Sequence, residues 1–66
     1  MKITYDKEAD AVYIRISDGK FSRNKKVDEM TILDYDSKDN LLGIEILNAS
    51  ERISKDALSS CRIKAI

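Results

Sequence analysis

Met30-Thr31-Ile32-Leu33-Asp34-Tyr35, then Asp36-Ser37-Lys38-Asp39-Asn40, then Leu41-Leu42-Gly43-Ile44-Glu45-Ile46-Leu47: two runs rich in strand-forming residues flank a short polar turn. This is the pattern of an antiparallel hairpin. Its register can be tested by trial closing pairs, because a slip of one residue turns every side chain to the other face. Closing on Tyr35 and Leu41 sets Ile32 opposite Ile44 and Met30 opposite Ile46, whereas a slip of one sets Ile32 opposite Gly43. The first register is therefore expected, with Asn40 or Asp39 as the left-handed turn residue. Leu33, Tyr35, Leu41 and Leu47 then share the outer face, and Asp34 shares the face of Ile32 and Ile44.

Working outward, Val12-Tyr13-Ile14-Arg15-Ile16-Ser17 alternates cleanly, with Val12, Ile14 and Ile16 on one face and Tyr13, Arg15 and Ser17 on the other. Lys2 to Tyr5 reads as a shorter strand. Asp6 stands where its carboxylate would cap the tight connection Lys7 to Ala11. Asp18-Gly19 suits a two-residue type I′ turn that would place Ser17 opposite Lys20, Ile16 opposite Phe21 and Ile14 opposite Arg23. The strand beyond it, with Arg23 and Lys25 between Phe21 and Val27, has the charge pattern of a protected edge. After Leu47, Asn48-Ala49-Ser50-Glu51 offers an N-cap with a glutamate three positions on, and Ser54 offers a second start. A helix carrying Ala57, Leu58, Cys61 and Ile53 on a narrow stripe would cover one sheet face.

These elements predict one α+β domain over residues 1–66: an antiparallel meander of four to five strands with one C-terminal helix packed on one face. A single helix shields a single face. The other, with Tyr13, Leu33, Tyr35 and Leu41, is expected to be an interaction face in need of a second molecule. Size points the same way, since a 66-residue chain buries only ~60% of its unfolded surface and a core this small is good for roughly 3–5 kcal/mol. With one cysteine and no histidine, an internal disulfide is excluded and the commonest transition-metal ligand is missing. Self-association as a homodimer is the expected supplement, with no cofactor.

Twelve basic and twelve acidic residues give a net charge of zero, which removes any overall field toward nucleic acid or an anionic membrane. No apolar run approaches the ~18 residues of a membrane span, nor the core of a signal peptide, and a cytoplasmic location is expected.

Two segments, Tyr5-Asp6-Lys7-Glu8-Ala9-Asp10-Ala11-Val12-Tyr13-Ile14 and Gly43-Ile44-Glu45-Ile46-Leu47-Asn48-Ala49-Ser50, with Asp34-Tyr35-Asp36 between them, resemble the prokaryotic family called domain of unknown function 2283. The likeness covers about residues 3 to 53. It implies a small sheet-plus-helix protein without an assigned activity, and its genes often adjoin small genes of toxin-like appearance, which implies an antitoxin-like role with a small toxin-like protein as partner.

Chemistry is sparse. Asp6, Glu8 and Asp10 recur at the spacing of calcium ligands, but Ala11 stands where the loop needs glycine and Ser17 where it needs a bidentate glutamate, so capping is the better reading. Asp34, Asp36, Asp39 and Glu45 fail in the same way, with Asp39 at the glycine position. Asp34 is the most unusual placement, a carboxylate on an apolar face, to be satisfied by solvent, by the helix start near Asn48, or by Arg15 or Arg52. The rival reading makes it an acid of raised pKa working with Glu45, in a small acid-site enzyme or a metal- or ligand-binding protein. That reading requires a pocket that gathers Asp34, Glu45 and Tyr13 or Tyr35. Serine or cysteine nucleophiles lack a histidine base. Lys20, Phe21, Arg23, Lys25 and Lys26 could meet phosphates, but one aromatic in a neutral chain argues for edge protection instead of nucleic-acid binding. Gly19 and Gly43 are read as structural.

Overall fold

A computed structural model describes residues 1–64. The chain runs β1 (Lys2–Asp6), β2 (Ala11–Arg15), β3 (Arg23–Asp28), β4 (Thr31–Tyr35), β5 (Leu41–Leu47), α1 (Ala49–Arg52), α2 (Lys55–Ser59) and β6 (Arg62–Lys64). The strands form one sheet in the order β3-β4-β5-β2-β1-β6, antiparallel throughout except for β6, which lies parallel to β1. The architecture is α+β and meander-like: a β1–β2 hairpin docks along the β3–β4–β5 meander.

Asp18-Gly19 does not close a hairpin. β2 pairs with β5, Val12 facing Ile46 and Ile14 facing Ile44, and β5 and β4 separate β2 from β3. The reason lies in the cross-strand partners: β5 offers β-branched side chains to Val12 and Ile14, whereas the expected hairpin would have set Ile14 against Arg23. The segment after β2 instead follows the sheet end. Ile16 and Ser17 donate backbone N–H groups to Leu42 O at 2.8 and 3.2 Å, and Ser22 N donates to Tyr35 O at 2.8 Å. Gly19 has no positive φ. A Cβ there would stand 2.8 Å from Leu42 Cδ2, so glycine permits the close approach of the loop to Leu42.

The β4–β5 hairpin closes on Tyr35 and Leu41 as expected, but a bulge follows at once. Asp34 then faces Gly43, Leu33 faces Ile44, Ile32 faces Glu45 and Thr31 faces Ile46. One extra residue on β5 therefore moves Leu33 from Gly43 to Ile44 and Ile32 from Ile44 to Glu45. Leu33 joins Ile44, Ile14 and Ile3 in a row across four strands, and Ile32 and Asp34 join Glu45 and Tyr13 on the opposite face. Asp39 is the left-handed residue of this turn, with φ 65°. Asp36 Oδ1 holds the loop by accepting from Lys38 N and Asn40 N, both at 2.9 Å.

The expected single helix is split in two. Ile53 ends α1 in an extended conformation, and Ser54 restarts the chain as the N-cap of α2, its Oγ accepting from Ala57 N at 3.2 Å. A helix thus starts at each of the two expected positions, the second under the cap of Ser54 itself. Cys61 lies beyond α2, and the backbone of Arg62–Lys64 joins the sheet instead of extending a helix. The core is small. Val12, Ala49 and Leu58 are buried together, with Tyr5, Ile14, Ile46 and Ile53 packed around them.

Candidate functional site

The β1–β2 connection and the start of α1 are fastened by a single carboxylate. Asp10 adopts a left-handed conformation, φ 51°, which aspartate tolerates. Its Oδ1 accepts from Tyr5 Oη at 2.7 Å and Ser50 N at 3.0 Å, its Oδ2 accepts from Ser50 Oγ at 2.7 Å, and its carbonyl accepts from Ala49 N at 2.9 Å. The bonds from Ser50 and Tyr5 hold the Asp10 carboxyl below its ordinary range. The same carboxylate pushes the Tyr5 hydroxyl up. Asn48 occupies the N-cap position in a left-handed conformation but makes no side-chain cap bond, and its Nδ2 donates to Met30 Sδ at 3.1 Å. The cap expected of Asn48 is supplied by Asp10, from the other end of the chain. Only one sequence signal pointed to this: Asp10 and Ser50 fall inside the two motif segments.

Asp6 behaves as expected, its Oδ1 accepting from Glu8 N and Ala9 N at 3.1 and 3.2 Å. Asp39 engages Arg23, whose guanidinium also lies over the Tyr35 ring, 4.6 Å from its centre. Among the described residues no three His, Cys, Asp or Glu side chains gather as a metal site.

The sheet face turned away from the helices carries a different kind of site. Tyr13 on β2, Glu45 on β5 and Asp34 on β4 converge on it, as the rival reading required, around a hollow of about 320 Å³ that is also lined by Asn24 of β3, Phe21 and Leu42. Gly43 makes the gathering possible. A Cβ at that position would overlap the hydroxyl end of Tyr13 and stand 2.9 Å from Ile14 O, so the bare glycine lets the ring lie across β5. Asp34 is 7% exposed, and its Oδ1 has no hydrogen-bond partner. Arg15 does not satisfy that oxygen, being paired with Asp18 at 3.5 Å; nor does Arg52, which donates to Met30 O and Thr31 Oγ1 at 3.0 and 2.8 Å. Burial first, then the adjacent Asp34 carboxyl, pushes Glu45 up. Burial, with Asp34 adding to it, pushes Tyr13 up as well. A second hollow of about 410 Å³ adjoins the first and shares Tyr13 and Glu45 with it.

Four residues expected to form one interaction face are therefore divided. Tyr13 lines the acidic hollow, while Leu33, Tyr35 and Leu41 belong to the helix-side face, in register with Ile44, Arg23 and one another. The helices cover the end of that face around Tyr5, Val12, Ile46 and the near side of Ile14. The row Ile3, Ile14, Ile44 and Leu33 continues past them, and Ile3 and Ile16 are 40% and 39% exposed. The basic strand β3 is an edge strand, and Asp28 and Glu29 follow Lys25 and Lys26 after Val27. Cys61 is free and half-buried, with Sγ 3.5 Å from Ala57 O.

A family model described as "Protein of unknown function (DUF2283)" matches residues 2–50, a span that contains Tyr5, Asp10, Ser50, Gly43 and the whole acidic hollow. Comparison with curated proteins and with solved structures gives no match.

Proposed function

Starting from the finding that the chain belongs to the DUF2283 family of proteins of unknown function, we propose that it is a non-catalytic interaction module. It self-associates through the uncovered strip of its helix-side face, and as an antitoxin-like protein it offers that strip to a small toxin-like partner. The observation that carries this reading is the contiguous apolar row running past the helices, with Ile3 and Ile16 two-fifths exposed at its margin. Isolated exposed apolar residues are ordinary, but an aligned row across four strands is the kind of patch that marks an interface. The slender core, Val12, Ala49 and Leu58, leaves the domain in need of such company.

Catalysis has little support. The chain has no histidine, and the two converging carboxyls crowd each other on one strand pair instead of flanking a reacting atom. Nucleic-acid binding is opposed by the engagement of Arg23 with Asp39 and Tyr35. The test is co-expression with the product of the neighbouring small gene. Copurification and relief of its growth arrest, both lost in Leu33→Asp, are the expected results. Absence of both in the native protein would remove the antitoxin-like role and leave self-association alone.

A further inference from the structure

We propose that the hollow floored by Asp34 and Glu45 is a binding site for a ligand that presents a cationic nitrogen, an ammonium or guanidinium group. The central observation is the orphaned Asp34 Oδ1, buried with its side chain at 7% exposure and lining the hollow without a donor. An unpaired buried acceptor is destabilising, more so when it is charged, so it calls for an occupant. That occupant must donate. An anion would meet the carboxyl pair unfavourably, and a metal ion would find no cluster of three ligating side chains among the described residues. A cationic nitrogen brings three to five N–H donors. One can reach Asp34, and others can be shared with Glu45, Tyr13 Oη and the Asn24 side-chain oxygen, which line the same space. Phe21 and Leu42 supply an apolar wall for the carbon skeleton. At about 320 Å³ the hollow holds a small group, near the lower end of small-molecule sites.

Docking is linked to protons. Burial and Asp34 favour the protonated form of Glu45, whereas a cation beside it favours the carboxylate, so the Glu45 proton leaves to solvent as the ligand binds. The other charged or titratable groups facing Glu45 are Tyr13 and Arg15 on β2, Asp34 on β4, Asp6 at the end of β1, and Lys26 on β3, in register through Ile32 of β4.

The site lies on the face opposite the apolar strip, so the test does not depend on self-association. The ¹⁵N-labelled protein is titrated with agmatine, with acetyl-arginine amide, and with acetyl-citrulline amide as the neutral isostere, following the amide signals of Tyr13, Asn24, Asp34 and Glu45. The two cationic probes are expected to shift these signals with saturation. The isostere is expected to bind at least tenfold more weakly, and affinity to tighten as pH rises from 5 to 8. Preference for agmatine would assign the site to a free small ligand, and preference for the capped arginine to a side chain of a peptide. Asp34→Asn should weaken binding at least tenfold. Should that variant misfold, Glu45→Gln serves instead: it should abolish the pH dependence while keeping a native spectrum. Equal binding of the neutral isostere, unchanged binding in Asp34→Asn, or no shift with any probe at 20-fold molar excess and millimolar protein would overturn the proposal.

Discussion

Leu33→Asp tests the self-association reading most directly. Complete burial of an isoleucine or leucine side chain is worth about 1.5–3 kcal/mol. Ile3 and Ile16, at 40% and 39% exposure, therefore each retain roughly 0.6–1.2 kcal/mol of unrealised burial. In a symmetric pair these residues occur twice, so they alone contribute about 2–5 kcal/mol, to which Ile14, Ile44, Leu33 and Leu41 add. Against a cost of association of about 4–15 kcal/mol, a weak and reversible pairing follows, not a permanent dimer. An aspartate at position 33, opposite Ile44 at the β4 end of the row, would bury two carboxylates at several kcal/mol each, enough to weaken association by about a thousandfold or more. Leu33 is not among the buried core residues, so the variant should remain folded. Sedimentation velocity from about 5 to 500 μM, the range in which weak pairing shows, reads the result, with circular dichroism as the check on folding. A native protein that stays monomeric throughout, or a folded Leu33→Asp that associates as well as the native chain, would refute the reasoning.

Gly43→Ala should destabilise the fold by about 1–3 kcal/mol in urea denaturation, the usual cost of overpacking, because its Cβ meets Tyr13 and Ile14 O. Removing the ring with Tyr13→Ala in the same chain should recover only part of that loss, since the contact with the backbone oxygen persists. Asp10 is held below its ordinary range in the fold, so its contribution is present above its unfolded value near 3.8 and is lost as pH falls through the lower folded value. Tyr5→Phe and Asp10→Asn should both flatten the acid limb of a thermal-stability profile, and an unchanged limb in both would count against the Tyr5–Asp10–Ser50 junction. Glu45 has the opposite sign: raised in the fold, it leaves stability intact below its unfolded value near 4.5 and erodes it as pH rises through the folded value. Glu45→Gln should remove that decline between pH 4.5 and 8 in urea midpoints measured across the range, and a parallel decline in the variant would contradict a shielded Glu45 carboxyl.

Local chemistry was legible from the sequence where it was self-sufficient, and illegible where two strong local signals competed with a distant partner. The alternation of Val12 to Ile16, the polar turn Asp36 to Asn40 with Asp39 left-handed, the Asp6 cap and the second helix start at Ser54 all follow from residues within one turn of one another. Asp18-Gly19 carries an equally strong hairpin signal. It lost because β5 offers Val12 and Ile14 the partners Ile46 and Ile44, a gain that a reading confined to adjacent segments cannot weigh. The bulge after Tyr35 was hidden for a related reason: the closing pair was right, and the displacement that follows it is fixed by the backbone and not by any residue type. That displacement decides the site. With Ile32 opposite Ile44, Asp34 would have stood on the helix side among isoleucines. With the bulge, Asp34 shares a face with Glu45 and with a Tyr13 ring that only Gly43 can accommodate. The hollow and the apolar strip are thus two consequences of one shifted register. Deleting Leu42, the extra residue, leaves Tyr35 opposite Leu41 and Asp34 opposite Gly43 by straight pairing, so the variant should keep both faces, as cross-strand contacts of Asp34 with Gly43 and of Leu33 with Ile44 in its NMR spectra would report; loss of those contacts would show that the bulge itself, and not the register beyond it, builds the two faces.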